Sequence, residues 1–110
     1  MTAGDVAKQA LLELDPDRNR WTAATLVKYV ADAQLLLVQM RPRVRLQTDG
    51  TAAVVGDVSV VGSTLVVGER WRAALVDYVV ARALREDEAD TENMARADKR
   101  FALFSAQVGL

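Results

Sequence analysis

The sequence predicts a mainly α-helical protein: a four-helix, bundle-like domain with a small antiparallel β hairpin or meander inserted between the second and third helices. Two observations carry this. Apolar residues recur at steps of three and four in four separate segments, the signature of amphipathic helices. Between the second and third of these, residues 44–67 switch to a period of two, with β-branched valines and glycine-bearing turn dipeptides. A chain of 110 residues suits one domain and is too short for two, so residues 1–110 are read as a single unit.

The first helix is expected from about Gly4 to Leu14, with Val6, Ala10 and Leu11 on one side. Asp15-Pro16-Asp17 stops it, because proline lacks an amide hydrogen and restricts the residue before it. Thr22 is the N-cap of a second helix running to about Met40, whose stripe is Leu26, Val30, Ala33, Leu37 and Met40. Val27, Leu35 and Val38 lie off that stripe. A helix so apolar on more than one side needs two neighbours, one of which can be another subunit. Arg41-Pro42 ends it.

In the insertion, Val44, Leu46 and Thr48 alternate with Arg45, Gln47 and Asp49. Asp49-Gly50, Gly56-Asp57 and Gly62-Ser63 are turn dipeptides separating valine-rich runs. Such short strands must lean on the helices or on a partner. Gly68-Glu69 opens the third helix, with glutamate near the positive end of its dipole. Trp71, Leu75, Tyr78 and Val79 form one apolar face of it, and Val76, Val80, Ala83 and Leu84 another. The run Arg85-Glu86-Asp87-Glu88 marks a turn. The fourth helix, about Ala89 to Gln107, carries Met94, Ala97, Phe101, Phe104 and Val108, and Gly109 terminates it. Helices three and four read as a helical hairpin facing the second. The expected core anchors are Trp21, Leu26, Val30, Leu37, Trp71, Leu75, Tyr78, Phe101 and Phe104.

Composition narrows the chemistry. Lysine plus arginine (14) nearly cancels aspartate plus glutamate (15), so bulk charge gives no general attraction to nucleic acid or acidic membrane. With no cysteine and no histidine, the chain has no disulfides, thiolate nucleophiles, imidazole bases or ordinary zinc sites. The start Met1–Asp5 lacks the basic and apolar regions of a signal peptide. The runs Leu35–Val38 and Ala73–Val76 fall far short of the roughly 20 residues that span a bilayer. The expectation is a protein made in a cytoplasm, with no membrane partner.

No motif for catalysis emerges. The acidic cluster Glu86, Asp87, Glu88, Asp90 and Glu92 lacks the glycine that a calcium loop needs, and reads as a solvated turn. Asp32 and Asp77 sit in apolar helical sequence, each as a surface residue or half of a salt bridge, not as an acid held neutral in a cleft. The glycines form neither a Walker nor a dinucleotide fingerprint. The expectation is therefore no enzyme, no catalytic residue, no metal and no cofactor. Arg41-Pro42-Arg43-Val44-Arg45 is the one concentrated basic patch. If a strand begins at Arg43, then Arg43 and Arg45 share a face. A solvated strand edge is one reading of the patch. A protein contact is the other, with Arg41, Arg43 and Arg45 meeting acidic groups of an adjacent subunit or another ring protein, Glu86, Asp87 and Glu88 being one candidate.

The order of landmarks resembles the small head–tail adaptor (connector) proteins of tailed bacteriophages. The residues that carry it are Arg20-Trp21-Thr22 opening a helix, Asp32-Ala33-Gln34, Met40-Arg41-Pro42, a valine-rich insertion, and Trp71 through Val79. The acidic turn, Ala95-Arg96-Ala97 and the stretch from Phe101 to Leu110 complete it. The resemblance implies a structural virion protein of the neck: a homo-oligomeric ring, typically a dodecamer, docked under the portal. Such a ring extends the DNA channel and offers a surface to tail or nozzle proteins, while DNA passes through its lumen without sequence readout. The rival reading is a free-standing helical-hairpin module that binds a peptide or partner helix. A regulatory DNA-binding protein is disfavoured by the lack of a basic recognition helix.

Overall fold

The computed structural model describes residues 1–14, 21–46, 50–51, 53–86 and 91–109, with the backbone alone for 91–93. Four α-helices account for most of it: α1 (Ala3–Glu13), α2 (Ala23–Met40), α3 (Arg72–Glu86) and α4 (Thr91–Val108). None of these helices is long and apolar enough to cross a membrane. Short 3-10 turns at Pro42–Arg45 and Glu69–Trp71 follow α2 and precede α3.

Helix starts are fixed by threonine. At α1, Thr2 Oγ1 accepts from the Asp5 backbone N–H at 3.2 Å, and Asp5 Oδ2 accepts from the Thr2 N–H at 2.8 Å, a reciprocal capping box. The bond from the Thr2 backbone is the largest influence on the Asp5 carboxyl and holds its pKa below the ordinary value. Because the folded pKa is the lower one, the cap adds stability above the unfolded pKa and loses it as pH falls through the folded one. Asp5→Asn should therefore flatten the acid limb of the stability–pH curve below about pH 4 and leave its neutral-pH shape unchanged, as read from melting curves across pH. At α2, Thr22 is the cap, its Oγ1 accepting from the Thr25 N–H at 3.2 Å.

Helix α3 is the centre of the molecule. Residues 74–81 are buried without a break, together with Ala83 and Leu84, because α1, α2 and α4 all pack on it. As expected, α3 and α4 pair as a helical hairpin, which meets α2 chiefly through α3. The α3–α4 seam holds an aromatic cluster, with Tyr78 and Phe104 ring centroids 5.2 Å apart and Phe101 and Phe104 5.9 Å apart. Of the expected anchors, Leu26, Val30, Leu37, Leu75, Tyr78 and Phe104 are buried, whereas Trp21, Trp71 and Phe101 are half-buried against the core. Asp77 is half of a salt bridge: its Oδ1 accepts from Arg100 at 2.8 Å and its Oδ2 from Gln107 at 2.6 Å.

The expected β hairpin is not seen among the described residues, with Gln47, Thr48 and Asp49 of that reading lying outside them. Among the described residues no strand forms, and the valine-rich segment is an irregular strap whose isolated bridge joins Thr2 to Thr64. The strap's backbone is committed elsewhere. Carbonyls of Ser63 and Val61 accept from the N–H groups of Ala3 and Gly4 at 2.8 and 2.7 Å, and the Leu65 N–H donates to the Met1 carbonyl at 3.0 Å. A helix N-terminus carries N–H groups with no partner inside the helix, and here the strap supplies them. Those carbonyls are thus unavailable to a ladder. Leu65 and Val67 tuck into the core, and Val66 N–H donates at 2.8 Å to the side chain of Gln34, which is 1% exposed.

Gly4 is required by this close approach. A Cβ there would lie 2.8 Å from the Val61 carbonyl oxygen. Glycine to alanine inside a helix ordinarily gains about 1 kcal/mol. Gly4→Ala should instead destabilise, by about 1 kcal/mol or more, because the strap must lift from α1; urea unfolding of the variant measures the sign.

Candidate docking cleft

Three segments distant in sequence meet at one end of the molecule. Proline at position 42 cannot continue α2, so the chain turns through Pro42–Arg45. The strap returns at Val66, and Gly68–Trp71 leads into α3. Because α2 and α3 run antiparallel, the end of one lies beside the start of the other. Between them is a cleft of about 830 Å³. Its apolar lining includes Met40, Val44, Leu46, Val66 and Trp71. Its charges are Arg41, Arg43 and Arg70.

The arginines differ in what they do. Arg41 Nε donates to the Val108 carbonyl at 2.9 Å, so its guanidinium sits at the C-terminal end of α4, where carbonyls lack helical partners and the dipole is negative. Gly109 then leaves the helix at φ 78, with no side chain to crowd Arg41. Arg43 is exposed. Arg70 is exposed with its guanidinium carbon 5.0 Å from the Trp71 ring centroid, a cation–π contact. Arg45 is half-buried and outside the cleft lining. In place of a strand, residues 42–45 form a turn with three residues per cycle, so Arg45 falls in line with Pro42 and does not share a face with Arg43. Among the described residues, Arg43, Arg45 and Arg70 make no ion pair.

Of the acidic partners proposed from sequence, the one described lies at the other end. Glu86 closes α3, exposed and 3.8 Å from Arg82. Asp87 and Glu88, with Asp90, lie outside the described residues, as do Asp15 and Asp17. Across the 15 residues of α3 the rise is about 22 Å, so one copy's Glu86 cannot reach its own cleft. Among the described residues no group of three carboxylates gathers to hold a metal ion.

Behind the cleft runs a polar chain. Gln107 lines the cleft and binds Asp77, Asp77 binds Arg100, and Arg100 also donates to Glu13 of α1 at 3.0 Å. Burial works against the Arg100 charge, but its hydrogen bonds to Asp77 and Glu13 outweigh this and raise its pKa. Near the other end, Arg82 donates to the Tyr78 hydroxyl at 3.2 Å and lies over the Tyr29 ring. Both networks clamp helices together. Arg70 and Met40 were not among the sequence-derived site residues. The one sequence signal for Arg70 was its place beside Trp71 at a helix start.

No known protein family matches the chain, and no curated protein or solved structure matches it.

Proposed function

We propose that this chain is a structural subunit of a tailed-bacteriophage neck, a head–tail adaptor that assembles as a ring under the portal. The observation that carries the reading is apolar surface left uncovered, at Leu46 in the basic cleft and at Leu35 and Val54 outside its lining. Leu46 is 52% exposed, Leu35 47% and Val54 86%, on a chain whose helical core is otherwise closed. Surface of this kind is what association with other chains covers. The order of landmarks from Trp21 to Phe104 supports the same reading, as does the mainly helical architecture.

In this proposal the protein performs no covalent chemistry. Subunits gather because a portal presents many equivalent sites, so individually weak contacts add through effective concentration. A formal net charge of −1 suits a channel through which DNA must pass without being gripped. Electron microscopy of portal rings mixed with the purified protein tests it: a ring of added density beneath the portal is the expected result, and bare portals at saturating protein overturn it. The cleft also favours a second reading, a monomeric module that holds a peptide between Trp71 and the arginines. That module would bind peptide one to one and add no ring to a portal.

A further inference from the structure

We infer that the arginine cleft is a docking site for an extended acidic peptide of a partner protein, one whose carboxylates alternate with aliphatic or aromatic side chains. The inference rests on the second reading above, which it deepens by naming the class of partner. It requires neither a ring nor a portal.

Charge selects an anionic occupant. The cleft lining holds three guanidinium groups, those of Arg41, Arg43 and Arg70, and no carboxylate among the described residues. Like charges gathered round one cleft repel one another, and an anion between them relieves that repulsion. Glu69, next to Arg70 in sequence, is held instead by Arg72 at 3.5 Å. The chain's described carboxylates are largely committed elsewhere: Asp5, Glu13, Glu69, Asp77, Glu86 and Asp98 each lie within 3.9 Å of an arginine. Arg43 and Arg70 make no ion pair among the described residues. Their complement is therefore sought on another molecule.

Shape and lining select a peptide among anions. Leu46 is 52% exposed and Met40 36%, and Arg43 and Arg70 are exposed too, so the cleft is a trough open to water. A small anion there would stay largely hydrated, whereas small-molecule sites enclose most of their ligand. A nucleic acid would use the arginines and leave Met40, Val44, Leu46 and Val66 idle. The aromatic ring of the lining, Trp71, already has the Arg70 guanidinium 5.0 Å from its centroid. An extended chain points successive side chains in opposite directions. One set can then meet the guanidinium forks, which pair well with carboxylates, while the other covers the apolar lining.

Fluorescence anisotropy on the full chain is the test, with a labelled seven-residue probe. It carries glutamate at the odd positions, and leucine, phenylalanine and leucine at the even ones. One control probe has serine for every glutamate, and the other has serine for every apolar residue. The acidic probe should bind one to one, tighter than about 100 µM in about 0.05 M salt, and about tenfold or more tighter than either control. In about 1 M salt its binding should weaken about tenfold or more. Arg43→Glu/Arg70→Glu should bind about tenfold or more weakly while keeping the wild-type helical melt, and Leu46→Ser about threefold or more weakly. Lys8→Glu/Lys99→Glu makes the same change of charge at exposed positions outside the cleft, and should bind within about twofold of wild type.

The inference is overturned if the acidic probe fails to bind at about 1 mM, or if the probe without apolar residues binds as well. It is also overturned if the cleft variant binds no worse than the lysine variant, or if duplex DNA displaces the probe at equal concentration. Self-association of the chain at about 1 mM that is abolished in the cleft variant gives the cleft to a second copy, and overturns it too. A probe without glutamate that binds as well as the acidic one sinks the acidic partner and leaves the peptide module standing. Bare portals beside tight binding of the acidic probe sink the adaptor reading alone.

Discussion

Phe104→Ala is expected to lower the unfolding free energy by about 3–5 kcal/mol, the cost of deleting a buried aromatic ring and leaving its cavity. Phe104 is fully buried, and its ring packs on Tyr78 and Phe101 in the seam that holds α4 to α3. Since α3 is the main support of α4, little else compensates. For a chain of this size the loss corresponds to a fall in melting temperature of about 12–20 °C, a large part of the total stability of a small domain. Phe101→Ala, from a half-buried position in the same cluster, should cost only about 1–2 kcal/mol. Thermal denaturation followed by circular dichroism measures both. Equal losses would mean that the seam is not organised around Phe104. The change also reaches the cleft, because Arg41 is anchored on the last turn of α4 through Val108.

Helices were legible in this sequence because burial on one side imposes a period that propensity alone does not. Thr22 at α2 and Gly109 after α4 were readable as caps because each solves a local backbone problem. Thr2 was missed, although its spacing to Asp5 satisfies a capping box. The valine-rich strap was misread for a physical reason: β-branched residues favour strands only where a neighbouring strand is available to pair with. Here α1's free N–H groups claimed the strap's carbonyls first. Met40 and Met94 followed the apolar stripes yet are exposed, since each lies near a helix end. A periodic pattern shows which face turns inward, but not where the partner helix stops.

The cleft was half legible. Arg41 and Arg43 stood out as a local run of charge, but nothing local tied them to Arg70, which joins them only through the antiparallel return of α3. Arg41 illustrates the opposite limit. Its charge marked it as a contact residue, whereas its Nε serves the end of α4, so its substitution would mix loss of folding with loss of binding. For that reason Arg43 and Arg70 are the cleaner probes of the cleft. Trp71 was expected in the core, and its half-buried position is what gives the cleft an aromatic wall.

Arg100→Met should cost about 3 kcal/mol or more, because it strands the Asp77 carboxylate, whose side chain is 11% exposed, with the Gln107 amide as its remaining hydrogen-bond donor among the described residues. Glu13, at the rim, is far better hydrated and contributes little to that loss. The decisive comparison is Asp77→Leu/Arg100→Met. Removing both charges leaves no buried ion to desolvate, and apolar side chains of similar bulk fit between α3 and α4, so the double variant should recover most of the stability lost by the single one. Urea unfolding of the two proteins gives the answer. A single variant as stable as wild type would show that water reaches Asp77. A double variant no better than the single one would show that the pair also fixes the register of α4 on α3. Register matters to the cleft as much as to the core: Gln107 and the Val108 carbonyl reach the cleft from the last turns of α4, and a shift of that helix would move both together.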